Sequence, residues 1–146
     1  MDEPITQEDD FGCGAACVAF VTKKPYSVII ALLGDTNAKT KGYYCRELVD
    51  ILAGFNLAYM YRYVKLHKGG LAYLEDSIVF LKRSKKYPSG HYIVRHEGQW
   101  MDPWINFIKS KDVNKAKSGY RKKLPGIPQY VLYKSTSKSY INRLRG

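Results

Sequence analysis

The hydrophobic pattern changes character near residue 56: before it, apolar residues fall in blocks at helical spacing, and after it they sit in short runs bounded by turns. Residues 1–10 are polar and read as loop or extended chain. The run Ala15-Ala16-Cys17-Val18-Ala19-Phe20-Val21 is apolar throughout, which predicts a buried helix over residues 13–22. Lys23-Lys24-Pro25 stops it, because Pro25 cannot continue a helix. Ser27 is placed to cap a second helix over residues 28–33, ended by Gly34. Residues 35–42 read as a polar loop. Leu48, Val49, Ile51 and Leu52 recur at helical spacing and predict a third helix over residues 44–53, with Gly54 as its stop.

The second half reads as strands. Residues 57–64 are rich in aromatics and predict a strand, and Gly69-Gly70 breaks the chain after it. Residues 71–74 form a short turn or helix leading into a strand at 77–81, and residues 82–89 make a basic turn. His91-Tyr92-Ile93-Val94-Arg95-His96 alternates, Glu97-Gly98-Gln99 turns, and Trp100-Met101-Asp102 returns, so this stretch reads as a hairpin closed by Asp102-Pro103. Residues 105–123 are lysine-rich and irregular, with one helix near 105–110. A turn at 125–128, a final strand at 129–134 and a short basic helix at 139–144 complete the chain. Helices first and an antiparallel sheet second make an α+β fold with one layer of each.

With 146 residues and 45% hydrophobic content, the chain is expected to form a single domain with a real core. It divides into a helical half (1–56), a sheet half (57–104) and a basic C-terminal extension (105–146) that carries the last strand. The formal charge of +11 is uneven. Residues 1–108 hold 13 Lys/Arg and 12 Asp/Glu, whereas residues 109–146 hold 11 Lys/Arg and only Asp112. That tail invites an anionic partner such as RNA or an acidic protein, and equally serves as a solvated surface. Three cysteines, an odd number, match no zinc spacing and imply a reducing compartment without structural disulfides. No metal or other cofactor is expected. No basic-then-apolar leader is visible and no apolar run reaches a membrane-spanning length, so a cytoplasmic location is expected.

Candidate chemistry centres on Gln7-Glu8-Asp9-Asp10-Phe11-Gly12-Cys13-Gly14-Ala15-Ala16-Cys17. Cys13 falls at the first turn of the first predicted helix, where unpaired N–H groups and the dipole favour a thiolate. Gly12 and Gly14 flank it without a Cβ, leaving room for a substrate backbone. Gln7, six positions earlier, is near enough to aim an amide N–H at an oxyanion beside the sulfur. Buried, inert cysteines are the commoner kind, and Cys17 suits that description better than Cys13. His91 and Asp102 lie at strand ends of one hairpin, where a carboxylate beside an imidazole fixes its tautomer and keeps it basic. His67, in a loop-like setting, and His96, on the opposite face of the strand from His91, are the competing bases. Trp100 and Trp104 bracket Asp102 and read as hairpin packing.

Gln7–x5–Cys13-Gly14-x-Ala16, then Gly90-His91-Tyr92-Ile93-Val94, then Asp102-Pro103, resembles the papain-like cysteine peptidases. It is most similar to the bacteriocin-processing peptidase domains of ABC exporters, which cut leader peptides after a double glycine. Residues 44–57 resemble the helix before the sheet in those domains, and the likeness spans about residues 5–104. The resemblance implies Cys13 as nucleophile, His91 as general base, Asp102 as orienter, Gln7 as oxyanion donor, and a peptide or protein as substrate. Some bacterial contact-dependent toxins share that fold and cut RNA. On that alternative the basic tail grips phosphates, Tyr120, Tyr130, Tyr133 and Tyr140 stack bases, and an acidic immunity protein is the partner.

Overall fold

A computed structural model describes residues 2–135. Four helices come first: α1 (Cys13–Thr22), α2 (Tyr26–Leu33), α3 (Asp35–Thr40) and α4 (Cys45–Ala53). Six strands follow: β1 (Tyr59–Tyr63), β2 (Ile78–Leu81), β3 (His91–His96), β4 (Gln99–Asp102), β5 (Gly119–Arg121) and β6 (Pro128–Lys134). They form one antiparallel sheet in the order β1-β6-β2-β3-β4-β5. The expected α+β layout, helices before an antiparallel sheet, is what the chain adopts.

The helix α1 is apolar all round because it is covered all round. Residues 14–20 are buried, with α2, α4 and β3 packed against it. It ends where Lys23 turns left-handed (φ 58°) and donates its N–H back to Phe20, two residues before Pro25. The core on the helix side of the sheet joins Val18, Ile29, Leu48, Leu52, Ile78 and Val94. A second core lies on the other face, where Leu81, Ile93, Trp100 and Val131 pack beneath connecting segments.

Several expectations need correction. The polar segment 35–42 contains α3, whose Asp35 and Lys39 pair at 3.2 Å across one helical turn. Helix α2 starts at Tyr26 with Pro25 at its N-cap, and Ser27 makes no cap hydrogen bond. Residues 105–110 form turns instead of a helix, with the Ser110 and Lys109 N–H groups bonded to Asn106. The described part of the tail is built into the sheet. β5 closes one edge of the sheet, and β6 lies inside it, paired with β1 on one side and β2 on the other. The helix expected at 139–144, and with it Tyr140, lies outside the described residues. Among the described residues no single helix is long and apolar enough to cross a membrane.

Candidate active site

The turn at residues 9–12 delivers Cys13 to the first position of α1. The Gly12 N–H bonds the Asp9 carbonyl at 3.0 Å, and the Phe11 N–H bonds the Ala38 carbonyl at 2.8 Å. The Tyr26 hydroxyl donates to the Asp9 carboxylate at 2.7 Å, tying the turn to α2. Gln7 completes the brace. Its side-chain amide donates to the carbonyls of Asp9 (2.9 Å) and Asp10 (3.2 Å), and its own N–H reaches the Pro103 carbonyl at 3.3 Å. The loop carrying the sulfur is therefore fastened to the turn just after Asp102.

Gly12 and Gly14 serve packing inside the protein, contrary to the expectation of space for substrate. A Cβ on Gly12 would lie 2.1 Å from the Tyr26 hydroxyl oxygen, and one on Gly14 would lie 3.0 Å from Leu48 and 3.2 Å from Tyr92. Gly14 lets α1 settle onto the first residues of β3. That close approach puts the sulfur beside the strand, where the Tyr92 N–H donates to Cys13 Sγ at 3.4 Å.

His91 opens β3 and Asp102 ends β4. Their strands pair Val94 with Met101, so continuing that register sets Asp102 opposite Ile93. His91 and Asp102 therefore meet on the diagonal, not directly side by side. His91 Nε2 lies 2.7 Å from Asp102 Oδ1. Asp102, wholly buried, accepts two further hydrogen bonds, from the Trp104 N–H (2.9 Å) and from Arg121 Nε (2.7 Å). Arg121 also donates to the Ile105 carbonyl at 2.9 Å. Tyr87 stacks on the His91 ring, with centroids 4.8 Å apart and planes 11° from parallel. Since Nε2 is held by Asp102, Nδ1 is the ring nitrogen left for the sulfur, and the imidazole and Cys13 line the same cavity.

The charges of this group follow from its contacts. Burial alone would push the His91 imidazolium pKa down, but the Asp102 charge and hydrogen bond, with Cys13 beyond, outweigh it and hold the pKa up at about 10. Burial alone would likewise raise the Asp102 carboxyl. His91, Arg121 and the Trp104 N–H outweigh that and bring it down to about 2. Asp102 is therefore a carboxylate, which can only accept, and Nε2 carries its proton. Burial pushes the Cys17 thiol well up, and the Cys45 thiol is raised for the same reason. All three cysteines are free.

Cys13, His91 and Gln7 line one cavity of about 190 Å³, with Phe80, Tyr87 and Trp104 among its walls. Asp102 stands behind His91. Gln7 shares the cavity, but its amide N–H groups are turned to main-chain carbonyls, and its buried Oε1 has no hydrogen-bond partner among the described residues. The first-turn N–H groups of α1, beside the sulfur, are capped by no side chain. The competing base His96 does not reach the sulfur. His96 packs edge-on against Phe20, seven positions and about 10 Å along α1 from Cys13. The side chain of His67 lies outside the described residues.

Three contributors escaped the sequence reading. The main-chain N–H of Tyr92 leaves no trace in residue identity. Tyr87 carried a faint sign, an aromatic set four positions before His91 across the Pro88-Ser89-Gly90 turn. Arg121 carried none: it lies among lysines on a three-residue strand. Trp104 was read as packing, and its indole does sit edge-on to Phe107, with centroids 4.9 Å apart. Its main-chain N–H is nonetheless one of the three donors on Asp102.

Compared with models of protein families and with curated proteins, the chain matches none.

Proposed function

We propose that this protein is a papain-like cysteine peptidase. The observation that carries the proposal is the cavity into which the Cys13 sulfur and the His91 imidazole both open, with His91 bonded to Asp102 and Asp102 to Arg121 behind it. His91 takes the proton of the Cys13 thiol. The thiolate attacks the carbonyl carbon of a peptide bond, and the oxyanion that forms meets the first-turn N–H groups of α1. His91 then gives its proton to the leaving amine, the C–N bond breaks, and a thioester remains on Cys13. Water attacks that thioester with its proton passing to His91, the C–S bond breaks, and the acid product leaves. Asp102 keeps its charge throughout and holds the ring. Gln7 shapes the oxyanion pocket by fixing the 9–12 turn, and reaches an oxyanion itself only by exchanging one of its carbonyl contacts.

The alternative, cleavage of RNA, draws less support. Part of the basic tail is spent within the fold, because Arg121 is paired with Asp102 and Lys134 with Asp76 at 2.7 Å. A sulfur nucleophile is also suited to carbonyl carbon, which the backbone of RNA lacks. The deciding experiment incubates wild-type protein and the Cys13→Ala variant with a denatured proteome and with total RNA. Peptide cuts made only by the wild type, together with preferential alkylation of Cys13 over Cys17 and Cys45, are the expected result. Cleavage of RNA alone overturns the proposal.

A further inference from the structure

The catalytic cavity does not end at its own walls. Lys41, Tyr43, Phe80 and Tyr92 also line a second, wider groove of about 640 Å³ that runs between the start of α4, β1 and the connection from β2 to β3. Its charged residues are Lys41, Arg46, Lys82 and Arg83, and no carboxylate lines it among the described residues. None of the four makes an ion pair among the described residues, and all are exposed. The neighbouring acid, Glu47, is turned away onto the Tyr44 N–H at 2.8 Å. Lys41 lies over the Tyr44 ring at 5.6 Å, and Tyr44 and Tyr61 add exposed aromatic surface. The cavity around Cys13, by contrast, has a carboxylate, Asp10, in its wall.

Four unpaired cations in one concave surface, continuous with a nucleophile, define the charge of what lies there. We infer that this groove binds an acidic segment of the peptide substrate, on one side of the bond presented to Cys13. The inference rests on the peptidase reading for its choice of a polypeptide over a nucleic acid, since the chain entering the groove must also bring a carbonyl to the sulfur. Each exposed charge pair is weak, at most about fivefold in affinity, so the four together give a preference of about tenfold to a hundredfold. Such pairs are screened, and the preference fades as salt rises.

The test measures binding by fluorescence anisotropy to the Cys13→Ala protein, which cannot turn its ligand over. Labelled octapeptides of three kinds, glutamate-rich, uncharged and lysine-rich, are compared with a single-stranded RNA oligonucleotide. The glutamate-rich peptide should bind at least about tenfold more tightly than the uncharged one at low salt. The added changes Arg46→Glu, Lys82→Glu and Arg83→Glu should abolish that preference and favour the lysine-rich peptide, with an unchanged circular dichroism spectrum. Equal affinity for acidic and uncharged peptides, a preference that survives the triple change, or tighter binding of the RNA than of the acidic peptide overturns the inference. Incubation of the wild type with the same peptides separates the two proposals. Acidic peptide that is bound by this groove but left uncut supports the groove and sinks the peptidase reading.

Discussion

Asp102→Asn is the change whose effect the structure fixes most tightly. All three groups on the Asp102 carboxylate are donors: His91 Nε2 at 2.7 Å, the Trp104 N–H at 2.9 Å and Arg121 Nε at 2.7 Å. Asparagine offers one acceptor oxygen and one donor nitrogen, so either orientation sets N–H against N–H. The larger effect is electrostatic. His91 stands at about 10 instead of 6.5 because the carboxylate outweighs burial. Without that charge burial prevails, and the imidazole's proton affinity falls from its raised value to below the ordinary one. A fall of even one unit, about 1.4 kcal/mol, weakens the base that takes the Cys13 proton about tenfold. The assay needs no substrate: iodoacetamide alkylation of Cys13 is followed by peptide mass spectrometry from about pH 5 to pH 9, a range that spans ordinary imidazole titration. Cys17, fully buried, is the internal reference for unfolding. Near neutral pH the variant should react at Cys13 at least about tenfold more slowly than wild type, with Cys17 still protected. A folded variant whose Cys13 keeps the wild-type rate across that range would show that Asp102 does not sustain the pair.

Arg121→Met strands one oxygen of a buried carboxylate. It should cost about 2–3 kcal/mol and lower the Tm by about 5–10 °C in calorimetry, and an unchanged Tm refutes the bracing role. Gly12→Ala should destabilise the fold by displacing the Tyr26 hydroxyl from Asp9. Adding Tyr26→Phe should recover part of that loss in urea melts, and strictly additive effects would break the proposed contact. The His91–Asp102 pair also sets a pH window. His91 is raised, so its contribution is full below about 6.5 and fades as pH climbs to about 10; Asp102 is lowered, so its contribution is full above 3.8 and fades as pH falls to about 2. The stability difference between wild type and Asp102→Asn, measured by urea melts, should therefore be largest between about pH 4 and pH 6.5 and should shrink towards pH 10. A difference that grows with alkalinity contradicts the sign.

Helix α1 and the β3–β4 hairpin were legible because their signals are local and strong. An unbroken apolar run before a proline, and alternation on either side of Glu97-Gly98, leave few other structures. Cys13, His91 and Asp102 could be picked out because each falls at the end of one of these readable elements, and Gln7 because of its spacing before Cys13. Helix α3 was not legible, since its six residues offer no apolar face and its fold depends on the segment 11–12 laid against it. Strand β5 is three residues long and is defined by its partner β4, which a one-dimensional pattern does not reveal. The glycines beside the sulfur were assigned to the wrong neighbour. Absence of a Cβ shows that something comes close, and only the packing shows that it is Tyr26, Leu48 and Tyr92.

The seat of β6 has a consequence for when the protein can work. Strands β1 and β2 each pair with β6 and not with one another, although 64 residues of chain, 64–127, are synthesised between β1 and the strand that joins them. A ribosome-bound chain that has already released its sulfur, imidazole and carboxylate still lacks the strand that sits between β1 and β2. On the peptidase reading, hydrolysis waits until β6 has been translated, which spares the nascent chain from premature cutting.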